Sequence, residues 1–119
     1  MIYNPEKLLG CLKNTLIIVD YAESFYKDIT INSGFRSEKY NKSIGGAKGS
    51  AHVKGMAVDL SAKNVSAIKI AGLLLSQAKS LGIKGIGIDV YQNYVHVDTM
   101  DRGSRGITYW SYGRNGKVS

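Results

Sequence analysis

Apolar residues recur at helical spacing near the start of the chain, at Leu8, Leu9, Leu12, Leu16, Val19 and Phe25, and predict a helix from about Glu6 to Tyr26 with one buried face. Pro5 suits its first turn and Asn4 its cap, while Asn14-Thr15 leaves open a break. Ile29 to Ser33 is short and β-rich, a strand that delivers Gly34-Phe35-Arg36 to a loop. Glu38 to Ser43 reads as a turn or short helix, and the glycines of Ile44 to Gly49 permit tight turning. Met56 to Leu60 is a further strand. A second helix is capped by Asn64 or Ser61, buries Val65, Ile68, Ala71, Leu74, Leu75 and Ala78, and ends at Leu81-Gly82. Lys84 to Val90 and Tyr94 to Asp98 alternate as strands joined by a tight turn around Gln92-Asn93. Arg102 to Trp110, with Gly103, Gly106 and the two arginines 102 and 105, reads as a rim loop. Trp110, Tyr109 and Tyr112 either close the core or line a groove. The sum is an α+β fold, a small antiparallel sheet flanked by helices.

Length and composition narrow the class. At 119 residues the chain is one domain with a single core, and its tail from Gly113 to Ser119 is the segment expected to fray. Hydrophobic residues at 44% and charged residues at 21% are ordinary globular usage. Sixteen Lys and Arg against nine Asp and Glu give +7, which favours polyanionic partners. The basic residues are scattered, without the clustered footprint of a nucleic-acid binder, so no nucleic-acid partner is expected. Cys11 has no partner for an internal disulfide and fits an apolar helical pattern. Gly10, Lys13 and Asn14 interrupt Leu8 to Val19, so neither a secretory signal nor a membrane span is expected.

The chemistry concentrates in Ser50 to Asp59, where His52 and Asp59 stand among small residues. The only other histidine, His96, lies in the strand Tyr94 to Asp98. Two imidazoles and one carboxylate make a three-ligand metal set, and three protein ligands leave a fourth position for water, as catalytic zinc requires. A phosphate-cradling loop at Gly45 to Gly49 is excluded, because no Gly-Lys-Ser/Thr ending and no apolar helix follow it.

Ser50-x-His52-x-x-Gly55-x-Ala57-x-Asp59 with a downstream Val-His-Val-Asp resembles the zinc peptidases of the M15 family, the D-alanyl-D-alanine carboxypeptidase and peptidoglycan endopeptidase group related to the hedgehog amino-terminal domain. Ser33-Gly34-Phe35-Arg36-Ser37 and Gly45-Gly46-Ala47 match further segments, so the resemblance spans about residues 29 to 110. It implies Zn²⁺ on His52, Asp59 and His96, with Arg36 pointing into the site to hold a substrate carbonyl or carboxylate through a forked hydrogen bond. Many members carry Glu or Asp three residues before the second histidine, where this chain has Asn93, which cannot take a proton.

Asp98, on the same strand face as His96, is therefore the expected general base, with orientation of His96 or Arg36 as its other possible role. Asp89 shares that face only if the hairpin pairs Val90 with Asn93. The expected function is zinc-dependent hydrolysis of peptidoglycan peptides at a bond involving a D-amino acid, with Arg36 and Ser50 holding substrate. The alternative is a zinc-bearing binding module without catalysis. A monomer acting at the bacterial cell wall is expected, and release of a phage-encoded lysin through membrane pores is one route to it.

Overall fold

The computed structural model describes residues 1–103 and 106–119. Its centre is a six-stranded sheet in the order β1-β2-β3-β5-β4-β6. The strands are β1 (Ile2–Tyr3), β2 (Ile29–Ser33), β3 (Ala57–Ala62), β4 (Gly85–Asp89), β5 (Tyr94–Asp98) and β6 (Thr108–Ser111). The four central strands pair antiparallel, whereas β1 joins β2 and β6 joins β4 in parallel. The α+β expectation therefore holds, with a mixed sheet in place of a purely antiparallel one.

Period-two alternation divides the sheet into two faces. Ile29 and Ile31 of β2, Val58 and Leu60 of β3, Ile86 of β4, and Val95 and Val97 of β5 are buried in one hydrophobic cluster. Side chains one position along each strand point the other way. Across β3, β5, β4 and β6 they form the row Asp59, His96, Gly87 and Trp110. The apolar face is covered by α1 (Lys13–Phe25) and α3 (Ala67–Ser76), followed by α4 (Ala78–Leu81). On the chain between β2 and β3 lies α2 (Glu38–Ser43), capped by Ser37, whose hydroxyl accepts from Tyr40 N–H.

The helices depart from the expected faces. In place of one helix from Glu6, a 3₁₀ turn covers Pro5–Leu8, the backbone turns left-handed at Gly10 (φ 91°), and α1 begins only at Lys13. Asn4 is itself left-handed and caps nothing with its side chain, and Cys11 lies in the connection between the two helical pieces. The face of α1 that packs is Thr15, Ile18, Val19 and Ala22, while Leu9, Leu12 and Phe25 are exposed. The cap of α3 is Ser66, not Asn64 or Ser61, and its buried residues are Ala67, Ile70, Ala71 and Leu74, leaving Ile68 and Leu75 outside. Gly82, at φ 72°, does end α4.

Beyond β5 the expected rim loop gives way to β6, which carries Trp110; Arg105 lies outside the described residues. The tail turns back on that strand, with a bridge between Tyr112 and Val118 and a Ser119 N–H to Ser111 C=O hydrogen bond of 3.0 Å. No helix among the described residues is long and apolar enough to cross a membrane.

Candidate metal centre

Two of the three candidate ligands are direct neighbours in the sheet. Asp59 on β3 pairs with His96 on β5, both on the face away from the apolar cluster. His52 arrives from a different kind of structure, the succession of tight turns over residues 50–55. That segment is clamped to the start of α1, where Leu12 N–H and the buried Thr15 hydroxyl both donate to Gly55 C=O. The expected loop between His52 and Asp59 is thus present and fixed at its far end.

The donor atoms converge. His52 Nε2 lies 3.2 Å and His96 Nδ1 2.9 Å from Asp59 Oδ1, and one ligand atom from each of the three residues lies within 4.8 Å of the others. Bonds of ~2.0–2.1 Å at tetrahedral angles would hold neighbouring donors ~3.3 Å apart, close to the two distances from Asp59 to the imidazoles. All three residues are buried.

The outer nitrogen of each ring is also occupied, which fixes the nitrogen that faces the cluster. His52 Nδ1 lies 2.8 Å from Gly34 C=O, an oxygen that can only accept, so the proton sits on Nδ1 and the lone pair of Nε2 points inward. His96 reverses the arrangement. Its Nε2 lies 2.7 Å from Asp98 Oδ2, so Nδ1 is the inward nitrogen. Such outer partners orient a ligating histidine and raise its basicity.

Asp98 is fully buried and held by Arg102, with Nη1 at 2.8 Å from Oδ1 and Nη2 at 2.9 Å from Oδ2. Burial pushes this carboxyl up, but the hydrogen bonds from Arg102 and His96 hold it well below the usual carboxylate range. Burial likewise pulls the His96 imidazole down, and the hydrogen bonds to Asp59 and Asp98 overcome it, raising it to about 9. Burial pushes the Asp59 carboxyl up, but the two imidazoles beside it, His52 and His96, outweigh burial and lower it to about 2.

The sequence pointed to Arg102 only as a rim residue. Its spacing of four from Asp98 was the available signal, but in a segment read as a loop that spacing carries no geometry. Two glycines make the room. A β-carbon at Gly85 would lie 2.7 Å from Asp98 Oδ2, and one at Gly87 2.7 Å from Trp110 Cε2. Trp110 packs on His96 with ring centroids 5.2 Å apart, and the Arg102 guanidinium lies 5.7 Å from the indole centroid. Trp110 thus belongs to the wall of the site.

Arg36 lies beside the cluster. Its Nε donates to Ser33 Oγ (3.1 Å), its Nη1 to Asn41 Oδ1 (3.3 Å), and Nη2 lies 4.0 Å from Asp59 Oδ2. Ser50 Oγ accepts from His52 N–H at 3.2 Å, which places its hydroxyl at the first ligand.

The candidate bases fare differently. Asp98 sits behind His96 with both oxygens engaged, not on the side where the three ligand atoms meet. Asp89 pairs with Tyr94, the register that pairs Val90 with Asn93, and so shares the face of His96. Its Oδ1, however, accepts from Tyr91 and Gln92 N–H in the hairpin turn, and its buried Oδ2 has no hydrogen-bond partner among the described residues. Asn93 adopts φ 57° and joins α3, its Oδ1 accepting from Ala67 N–H at 2.7 Å.

Comparison with known proteins agrees with this geometry. Residues 3–98 match a family model described as Peptidase M15. A curated relative, the probable peptidoglycan L,D-endopeptidase MepK of Haemophilus influenzae, is 38% identical over 77 residues, covering 60% of this chain and 39% of that protein. The chain thus spans about two fifths of the length of the curated relative it matches.

Proposed function

This chain belongs to the Peptidase M15 family, and on that premise we propose that it hydrolyses peptidoglycan stem or cross-bridge peptides at a bond involving a D-amino acid, with zinc as its metal. The observation that carries this reading is the buried meeting of His52, Asp59 and His96, drawn from a turn and two strands into one group. Two imidazoles and a carboxylate suit zinc and leave a position open. The name of the relative, an endopeptidase, favours a cut within the peptide over removal of its last residue.

Zinc, when bound, supplies a Lewis acid that polarises a carbonyl and lowers the pKa of water. His52 Nε2, Asp59 Oδ1 and His96 Nδ1 would hold it. The remaining work falls to side chains. Arg36, with Nε and Nη1 secured by Ser33 and Asn41, directs Nη2 toward the cluster, where a substrate carbonyl or carboxylate can accept from it. Ser50, whose oxygen accepts from His52 N–H, retains its own proton for the substrate. Tyr94 shares the face of His96, and burial together with the charge of Asp59 pushes its phenol up, so it stays protonated and offers a further hydrogen bond. In this reading Asp98, neutralised by Arg102, positions His96 and does not take a proton from water.

A second reading, a metal-bearing binding module without catalysis, is favoured by one observation. Three positions from which a proton acceptor was expected are committed elsewhere: Asn93 to α3, Asp98 to Arg102, and one oxygen of Asp89 to the hairpin turn. Elemental analysis followed by incubation with purified peptidoglycan, with and without chelator, separates the two. A hydrolase carries zinc and releases peptides in a chelator-sensitive manner. Zinc with no release leaves the binding module.

A further inference from the structure

Next to the metal centre lies a cavity of about 720 Å³, bounded by α2, the glycine-rich turn after it and the first turn of the segment that carries His52. Its size falls within the ~300–1,000 Å³ of small-ligand pockets, enough for a few residues of a peptide. Lys42, Lys48 and Lys54 line it, against the single carboxylate of Glu38. All three lysines are exposed, and among the described residues none lies within ion-pair distance of a carboxylate. The cavity is therefore a concave surface of positive charge with free ammonium donors.

Its wall is shared with the site. Asn41 lines the cavity and is buried, its Oδ1 accepting from Arg36 Nη1 and its Nδ2 donating to Ala47 C=O at 2.9 Å. Ser50 also lines the cavity while its hydroxyl oxygen accepts from His52 N–H. A ligand seated among the lysines thus borders Ser50 directly and Arg36 through Asn41.

We propose that this cavity is the subsite for an acidic segment of the substrate, holding free carboxylates of the peptide on Lys42, Lys48 and Lys54 while the scissile bond lies at the metal. The proposal rests on the peptidase reading above. Lysine suits the task as a mobile point charge that follows a carboxylate without demanding a fixed fork geometry. Contacts of this kind weaken as ionic strength rises.

The test uses the zinc-loaded protein and two synthetic peptidoglycan peptides, one with its carboxylates free and one with them amidated. Initial rates give KM and kcat, and calorimetric titration gives Kd. The wild type is expected to prefer the free acid, and K42Q/K48Q/K54Q to raise KM and Kd for it about tenfold more than for the amide. K42R/K48R/K54R is expected to keep the preference, which separates charge from misfolding. An acid-to-amide preference that survives the glutamine variant, or is absent from the wild type, overturns the subsite. Failure to hydrolyse either peptide overturns the peptidase reading instead, and Kd still reports on the cavity.

Discussion

Asp98 lies against the outer nitrogen of His96, Oδ2 at 2.7 Å from Nε2, while Asp59 Oδ1 takes the inner nitrogen at 2.9 Å. The imidazole is held between two carboxylates, and only the inner one belongs to the candidate ligand set. Asp98→Asn should therefore weaken metal binding by ~10 to 100-fold, as loss of an outer partner to a ligating histidine does. Competition titration against a chromogenic chelator measures it. Unchanged affinity with a kcat lowered ~10² to 10⁴-fold would return Asp98 to the role of base.

Removal of a ligand gives a sharper result. His52→Ala and Asp59→Asn should each reduce bound zinc to background by elemental analysis, with peptide release lost in parallel. His52 comes from a turn and packs little of the core, so His52→Ala should keep its circular dichroism spectrum. Full zinc occupancy in either variant would remove the three-ligand site.

Proton linkage sets the pH dependence of the metal-free protein. The folded-state pKa of His96 is raised from 6.5 to about 9, so folding favours the charged ring. That contribution is complete below about 6.5 and is lost as pH rises through about 9. Chelator-treated protein should melt at progressively lower temperature across that interval. Zinc must displace the same proton, so its apparent affinity should rise over the same range. A flat melting profile would show that the charged imidazole is not favoured by folding.

The packing of α3 separates two adjacent leucines. Leu74 is fully buried and Leu75 is 42% exposed. Leu74→Ala should cost ~2–5 kcal/mol, and Leu75→Ala should stay within ~0.5 kcal/mol as a surface substitution does. Urea unfolding of the two variants measures both.

Asn93 offers a test of what an acid at that position can do. Its side chain bridges Ala67 N–H and Val65 C=O. Asn93→Asp keeps the first bond and loses the second donor, so the carboxylate should remain tied to α3 and peptide release should not rise. A gain in kcat would mean that the side chain leaves α3 for the metal centre.

The strands were legible in the sequence because alternation has only one way to bury itself. Ile29 to Ser33 and Tyr94 to Asp98 were read to the residue. The helical faces were not. A run as rich in leucine as Leu8 to Leu16 fits several helical phases, and Gly10 breaks it before the phase that packs, Ile18, Val19 and Ala22, begins. β6 was missed because its pairing is parallel and at the edge, leaving Thr108 to Ser111 with no fully buried residue. The place of Trp110 was left open between core and groove, because it depends on a register between β4 and β6 that no local pattern encodes, and Arg102 was missed because it lies in the connection after β5, where its spacing from Asp98 carries no geometry.

Two candidate ligands that sit opposite each other on neighbouring strands would tie ion capture to strand alignment. Sliding β5 by a single residue against β3 would swing His96 into the hydrocarbon interior and bring Val95 or Val97 out in its place. On the proposed reading a correctly zipped sheet and a competent centre are one achievement, and zinc uptake during refolding should gauge how many molecules have found the native alignment.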